Sequence, residues 1–220
     1  MTTTGKKSVA CALCGEVSEF SVLRSFGLYG EFDLDGRPPS LLRHTMRLWL
    51  QECAGCGYVS KSIDELLPNA AAIVRSPEYV SLRTMVDQPS GVLRFLRHAL
   101  LWAHEPAEAG QALLHAAWIY DDMGRDDLAL ACREECAQKW SALPWASDSA
   151  TMRLRRQQVD VLRRARRFQA ARSLIERIRA ADAPTGKSLK ILSFQERLCE
   201  RQDAAGFTEE DALAGVARPV

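Results

Sequence analysis

Cys11-Ala12-Leu13-Cys14-Gly15 and Cys53-Ala54-Gly55-Cys56-Gly57 constrain this chain more than any other feature of it. A gap of two residues lets both sulfurs of a pair reach one metal ion, and a tetrahedral zinc site prefers thiolate donors. The glycine after each second cysteine adds to the reading: it accepts the positive φ of a tight turn, and such a turn aims backbone N–H groups at the sulfurs. Cys11, Cys14, Cys53 and Cys56 are therefore expected to hold one structural zinc ion. The 38 residues between the pairs exceed the usual ribbon spacing, and an inserted loop accounts for them. An all-thiolate set is closed, with no position left for water or substrate, so the metal should hold the fold together rather than perform chemistry. Its negative charge is expected to be offset by knuckle N–H groups and by a neighbour such as Arg47. His44 reads as an ordinary surface histidine. A redox switch is a second reading of the same four thiols, since oxidation would eject the metal.

Seven cysteines cannot all pair within one chain, and the metal-ligand spacing of four of them fits a reducing compartment better than a disulfide framework. After Lys6 and Lys7 the apolar stretch is too short for a signal peptide, and no run approaches the ~18 apolar residues that span a bilayer. Ser8-Val9-Ala10-Cys11 faintly resembles a lipoprotein cleavage site, but no hydrophobic run precedes it. A soluble cytoplasmic protein is the expectation. With 29 basic and 28 acidic residues the chain has no overall pull toward nucleic acid or membrane. The charge is uneven, however: residues 68–150 carry 7 basic and 11 acidic side chains, and residues 151–220 carry 15 and 9.

Residues 1–9 are polar and read as disordered. Alternating apolar residues predict a strand over 18–26 and another over 44–50, the latter with Met46, Leu48 and Leu50 on one face. A further strand is expected over 58–63, and residues 27–40 read as a loop. Beyond Leu67 the texture becomes helical, with Pro68 as a first helical residue and Ser76-Pro77-Glu78 as N-cap, N1 and acidic first turn. Val92, Leu93, Leu96, Leu100 and Ala103 form a stripe at helical spacing. Helices are predicted from Pro106 to Met123, with Gly124 as the residue after the end, and from Asp126 to Trp140. Two more fill 147–182 and a last pair follows Pro184. From Leu113 to Ala129 the small, aromatic, glycine and alanine residues fall at tetratricopeptide spacing. A weaker second unit lies over 162–178, offset by 42 residues, with Ala171 matching Ala129 and Arg166 in place of the glycine.

The run Asp33-Leu34-Asp35-Gly36-Arg37-Pro38-Pro39, then Thr45-Met46, Trp49 and Glu52-Cys53-Ala54-Gly55-Cys56-Gly57-Tyr58, resembles a bacterial family of unknown function. Its members carry an N-terminal cysteine-rich domain followed by tetratricopeptide-like helices. The resemblance is closest over residues 11–65, and it implies metal binding for the four cysteines without implying a substrate. Ala12 and Ala54 stand where proline is common in such knuckles, which removes no ligand.

Other candidates are weaker. Cys132, Cys136 and Cys199 read as small core residues. His98, His104 and His115 have no metal-ligand spacing with one another or with Glu105, Glu108 or Asp121, and read as packing or surface residues. Thr185-Gly186-Lys187-Ser188 mimics the end of a phosphate-binding loop, but alanine stands at 181 and a helix precedes it, so it reads as a helix-capping turn. Residues 153–179 hold ten arginines against Asp160 and Glu176. Arg153, Arg156, Arg163, Arg164 and Arg167 are the candidate binding residues there, unless the acidic segment 121–135 neutralises them within the molecule. The expected fold is mainly α with a small β component. A four-cysteine zinc ribbon (1–67) precedes an antiparallel helical, tetratricopeptide-like array (68–220). The expected function is a non-enzymatic adaptor that binds a protein or peptide, with a nucleic-acid-binding regulator as the alternative.

Overall fold

The computed structural model describes residues 3–27, 29–146, 148–181 and 184–215. Each cysteine pair sits in the turn of an antiparallel hairpin. In the first, β1 (Thr3–Ala10) pairs with β2 (Val17–Ser25), from Thr3 opposite Ser25 to Ala10 opposite Val17. In the second, β3 (Gln51–Glu52) pairs with β4 (Val59–Ser60) around residues 53–58. β1 overturns the expected disorder of the N-terminal residues, of which 1 and 2 lie outside the described chain. Val9 is the one buried residue in β1, so no apolar alternation marks the strand. The knuckle folds the chain back on itself, and the backbone ladder then forms, with Lys6 Nζ 2.6 Å from Glu19 Oε1 across it.

The strand expected over 44–50 does not form. Helix α1 (Ser40–Arg43) leads into a 3₁₀ turn at Met46–Leu48. Met46 and Leu50, four residues apart, are both buried, as one face of a helical turn would place them. Thr45 stabilises the turn locally: its hydroxyl donates to the Leu42 carbonyl at 2.7 Å and accepts from Trp49 Nε1 at 3.0 Å. The strand expected over 58–63 shrinks to β4, beyond which fully buried Ile63 accepts a hydrogen bond from Ala12 N at 2.8 Å. That bond ties the two hairpins together.

The rest is helical. α2 (Ala70–Ile73) starts after Asn69 in the left-handed region, so Pro68 lies in the preceding turn and is not the first helical residue. α3 (Pro77–Thr84) is capped by Ser76 as expected, its hydroxyl accepting from Tyr79 N at 3.3 Å. α4 (Ser90–Leu101) buries Val92, Leu93, Phe95, Ala99 and Leu101. Leu96 and Leu100 of the expected stripe pack only at its edge, and Ala103 falls beyond the helix. α5 (Pro106–Asp122), α6 (Asp126–Ser141), α7 (Ser149–Arg164), α8 (Phe168–Ala181), α9 (Gly186–Glu200) and α10 (Glu209–Ala214) follow, each packed against its neighbour in sequence, and α7 also packs against α9. Among the described residues no helix is long and apolar enough to cross a membrane.

The turns after α5, α7 and α9 share one geometry. Gly124, Arg166 and Gln202 take φ of 65°, 58° and 54°. In each turn that residue's N–H bonds the carbonyl three residues back, and the next N–H bonds the carbonyl five residues back (Arg125 to Tyr120, Arg167 to Leu162, Asp203 to Leu198). This is the Schellman end of a helix, used three times.

One core runs from the four-cysteine unit (Val9, Met46, Leu50, Tyr58, Ile63) through the helices as far as Val161 of α7. Smaller clusters join α7 to α9, and α9 to α10. Residues 31–39 bind these parts together. Leu34 enters the α9–α10 cluster, its N–H bonding the Phe207 carbonyl at 2.9 Å. Its neighbour Asp35 is buried among Trp118, Arg133 and Arg164, from α5, α6 and α7.

Candidate metal centre

The two knuckles repeat one hydrogen-bond pattern. Cys11 N bonds the Glu16 carbonyl and Gly15 N bonds the Cys11 carbonyl, at 2.9 and 2.8 Å; Cys53 N bonds the Tyr58 carbonyl and Gly57 N bonds the Cys53 carbonyl, both at 2.9 Å. Gly15 and Gly57 turn the chain with φ of 80° and 75°. At Gly57 a side chain is excluded twice over, since a Cβ there would also come within 2.6 Å of the Arg83 guanidinium.

These turns aim four thiols at one point. Cys11 Sγ lies 3.8 Å from Cys56 Sγ, Cys14 Sγ lies 3.5 Å from Cys53 Sγ, and all four sulfurs lie within 4.8 Å of one another. Four sulfurs ~2.3 Å from a common metal stand about 3.8 Å apart along the edges of a tetrahedron, so the cluster has the dimensions of a thiolate site. Each close pair takes one cysteine from each hairpin, so a bound ion would cross-link the two. Cys11 and Cys53 are buried, Cys56 is half-buried and Cys14 is exposed.

The thiol chemistry agrees with that fit. Burial raises Cys11 and pushes Cys56 up to about 12, whereas the backbone of Glu16 lowers Cys14 to about 7. Buried thiols of this kind ionise when a cation supplies the balancing charge, and binding then releases their protons.

Helices α3 and α4 clamp the second knuckle. Arg83 donates from Nη1 to the Cys56 carbonyl and from Nη2 to the Gly55 carbonyl, both at 3.0 Å. The Tyr79 hydroxyl donates to the Gly57 carbonyl at 2.8 Å, and Arg97 bridges that carbonyl to Glu52, 2.7 Å away. Arg83 and Arg97 thus bring positive charge to the knuckle, while Arg47 is exposed. His44 is exposed too, at the end of α1.

The candidate arginines scatter. Arg163 is fully buried against Asp160 at 2.7 Å and also donates to the Asp203 and Ala205 carbonyls. Arg164 bridges Asp35 and Asp121 at 2.8 and 2.7 Å; burial works against its charge, but the two carboxylates outweigh it and hold the proton firmly. Arg167, at the surface, pairs with Glu134 at 2.8 Å. Asp121 and Glu134 belong to the acidic segment 121–135, which therefore neutralises two of the five within the molecule. Arg153 and Arg156 line an open groove of about 380 Å³ between α7, α9 and residues 32–36, together with Lys187 and Ile191.

Cys132, Cys136 and Cys199 are buried, and burial pushes Cys132 up to about 12 and Cys199 up to about 11, which suits core packing. Lys187 pairs with Glu209 at 2.5 Å at the start of α9. His104 stacks on Trp102. His98 and His115, separate in sequence, line one cavity, which residue spacing along the helices does not announce. Asp35 was legible only as part of a loop motif. No family model, curated protein or solved structure matches the chain, so the family resemblance rests on its motifs alone.

Proposed function

We propose that the four cysteines hold a single structural zinc ion in a ribbon-like unit, and that the chain is a non-enzymatic adaptor whose helical surface binds a protein or peptide. The observation that carries the first half is the sulfur tetrahedron itself, with edges of 3.5 and 3.8 Å between the two hairpins. Zinc suits it because four thiolates and no open position are the donor set of a structural zinc site. Held there, the ion fixes the angle between the hairpins, and Arg83, Tyr79 and Arg97 transmit that geometry to the helices.

The tetratricopeptide-like reading of the array is supported at α5–α6, where Ala116, Ala117 and Ala129 are buried and Tyr120 fills the contact below the Gly124 turn. The groove between α7 and α9 is the docking surface of this reading. Arg153 and Arg156 give it a basic side, Lys187 there being paired with Glu209, and Phe32, Leu34 and Ile191 form an apolar floor. That combination suits an extended peptide with acidic side chains. The nucleic-acid alternative loses support from the arginines, since Arg163 and Arg164 are engaged inside the protein.

Metal analysis of the purified protein tests the first half. One zinc per chain is expected, and Cys53→Ser should lose it and expose the thiols of residues 11–56 to alkylation. An alkylation-resistant, metal-free protein would overturn the assignment. For the second half, a partner cross-linked to the wild-type groove should be lost in the Arg153→Glu/Arg156→Glu variant. Retention of that partner by the variant, or salt-sensitive capture of RNA in its place, removes the adaptor reading.

A further inference from the structure

The groove between α7, α9 and residues 32–36 carries positive charge that the protein itself does not balance. Its carboxylates are both matched, Asp33 by Arg43 at 2.9 Å and Glu209 by Lys187 at 2.5 Å. Arg153 and Arg156 line it too, and neither guanidinium has an ion-pair or hydrogen-bond partner among the described residues. Arg156 engages Gln195 through its backbone carbonyl, which leaves its side chain uncommitted. Arg155, between them in sequence, turns inward to the Trp140 and Leu143 carbonyls at 2.7 Å.

Arg153 and Arg156 stand three positions apart on α7, so they share a face, with Cβ atoms ~5–6 Å from each other. Each presents five N–H donors in a fixed fork, and together they carry two positive charges. One carboxylate cancels only one of those charges and offers two oxygens. A phosphate monoester carries about −1.5 to −2 at pH 7 and offers three, so it answers both forks at once. Ser188 and Gln157 line the same groove and can donate without adding charge. Beside the arginines, partly exposed Phe32 and buried Ile191 give apolar area for a residue next to the phosphate.

We infer that this groove holds a peptide bearing a phosphate monoester, with Arg153 and Arg156 on the phosphate and a flanking apolar side chain on Phe32 and Ile191. The inference rests on the groove being the docking surface of the adaptor reading, and it adds the chemistry of the partner's acidic group. A nucleic acid fits less well. A strand of phosphodiesters needs a run of uncommitted cations, whereas Arg163, Arg164 and Arg167 are all paired within the protein.

Fluorescence anisotropy of the full chain with a labelled, end-capped peptide Ala-Leu-Ser-Leu-Ala tests this, with the serine phosphorylated or replaced by aspartate. The phosphopeptide should bind about tenfold more tightly than the aspartate peptide. Arg153→Gln and Arg156→Gln should each bring it down to the affinity of the aspartate peptide, and Phe32→Ala should weaken both peptides alike. The comparison of the two peptides needs only the wild-type protein, so it stands even if a variant fails to fold. A difference under about threefold between the peptides overturns the inference and leaves the acidic-peptide reading in place. Binding of neither peptide overturns both. Displacement of the phosphopeptide by an equal concentration of inorganic phosphate, or of a ten-nucleotide oligouridylate, also overturns the inference, since the first ignores the apolar floor and the second is a different partner.

Discussion

Two histidines make the folded chain sensitive to mild acid. Burial lowers His98 to about 4 and His115 to about 3, from an ordinary value near 6.5. A group with a depressed folded pKa contributes stability that is present above its unfolded pKa and is lost as pH falls toward the folded one. Stability should therefore decline from about pH 6.5 downward, before most carboxylates titrate. Near pH 5.5 the two histidines should take up about two protons on unfolding, while Asp33, raised to about 6 by burial, gives back most of one, so the slope of unfolding free energy against pH should report a net uptake of about one proton. His98→Leu should remove about one of the histidine protons. A slope unchanged by that substitution would mean that His98 is protonated in the folded state. At this scale the cysteines were the legible residues, because two thiols three positions apart, met twice, point to one four-thiol cluster. The histidines were not, since each meets the cavity from a different helix, His115 packing against Trp49, Phe95 and Trp118 and His98 against Trp102.

Elements were legible where one period dominated. α5, the Gly124 turn and α6 followed directly from Pro106, the small residues and the glycine. Residues 44–50 misled because Met46 and Leu50 satisfy an alternating strand and a four-residue helical step equally well. The Thr45 hydrogen bonds, which no hydropathy pattern registers, accompany the helical outcome. β1 was invisible because its ladder is polar and its pairing is imposed by the knuckle. The repeated Schellman turn offers a test of how alike the helical hairpins are. Arg166 holds φ at 58° with an exposed side chain, a conformation that costs an L-residue about 1–2 kcal/mol and glycine very little. Glycine also gains freedom in the unfolded chain, so Arg166→Gly should stabilise by a net of about 0.5–1 kcal/mol. Gly124→Ala should destabilise by about 1 kcal/mol. Urea unfolding of both variants checks the pair. If Arg166→Gly instead lowers the midpoint, the arginine contributes something in that turn that glycine cannot replace.

The whole molecule is organised around a short segment whose role no local pattern discloses. Asp33-Leu34-Asp35-Gly36-Arg37 reads as loop, yet Asp35 is buried against Arg133, 98 positions away, and Arg164, 129 positions away. Contacts at such separations leave no trace in periodicity or spacing: the sequence points to a solvated or self-paired arginine face, with the acidic segment 121–135 as its internal partner, and gives no sign that part of it is the socket for Asp35. Burial alone would raise the Asp35 pKa, but Arg164 and Arg133, with Trp118 Nε1 at 2.9 Å, outweigh it and hold the carboxyl below its usual range. The sign follows: the Asp35 contribution is present above the unfolded pKa near 4 and disappears as pH falls through the lower folded value. Removing this carboxylate leaves Arg133 and Arg164 sharing Asp121 in a buried site. Breaking a buried ion pair by deleting one partner costs about 3–5 kcal/mol, so Asp35→Ala should destabilise by that order. Its neighbour gives an independent handle, since Leu34→Ala should cost about 2–5 kcal/mol by emptying a place in the α9–α10 cluster. A double-mutant cycle separates ionic loss from simple truncation: Arg164→Met in the Asp35→Ala background should restore part of the stability, because it removes a charge left without its partner. If Asp35→Ala costs under about 1 kcal/mol, or Arg164→Met adds its full cost on top, the segment does not key the four-cysteine unit to the helices, and the two parts are held by the apolar core from Val9 to Val161 alone.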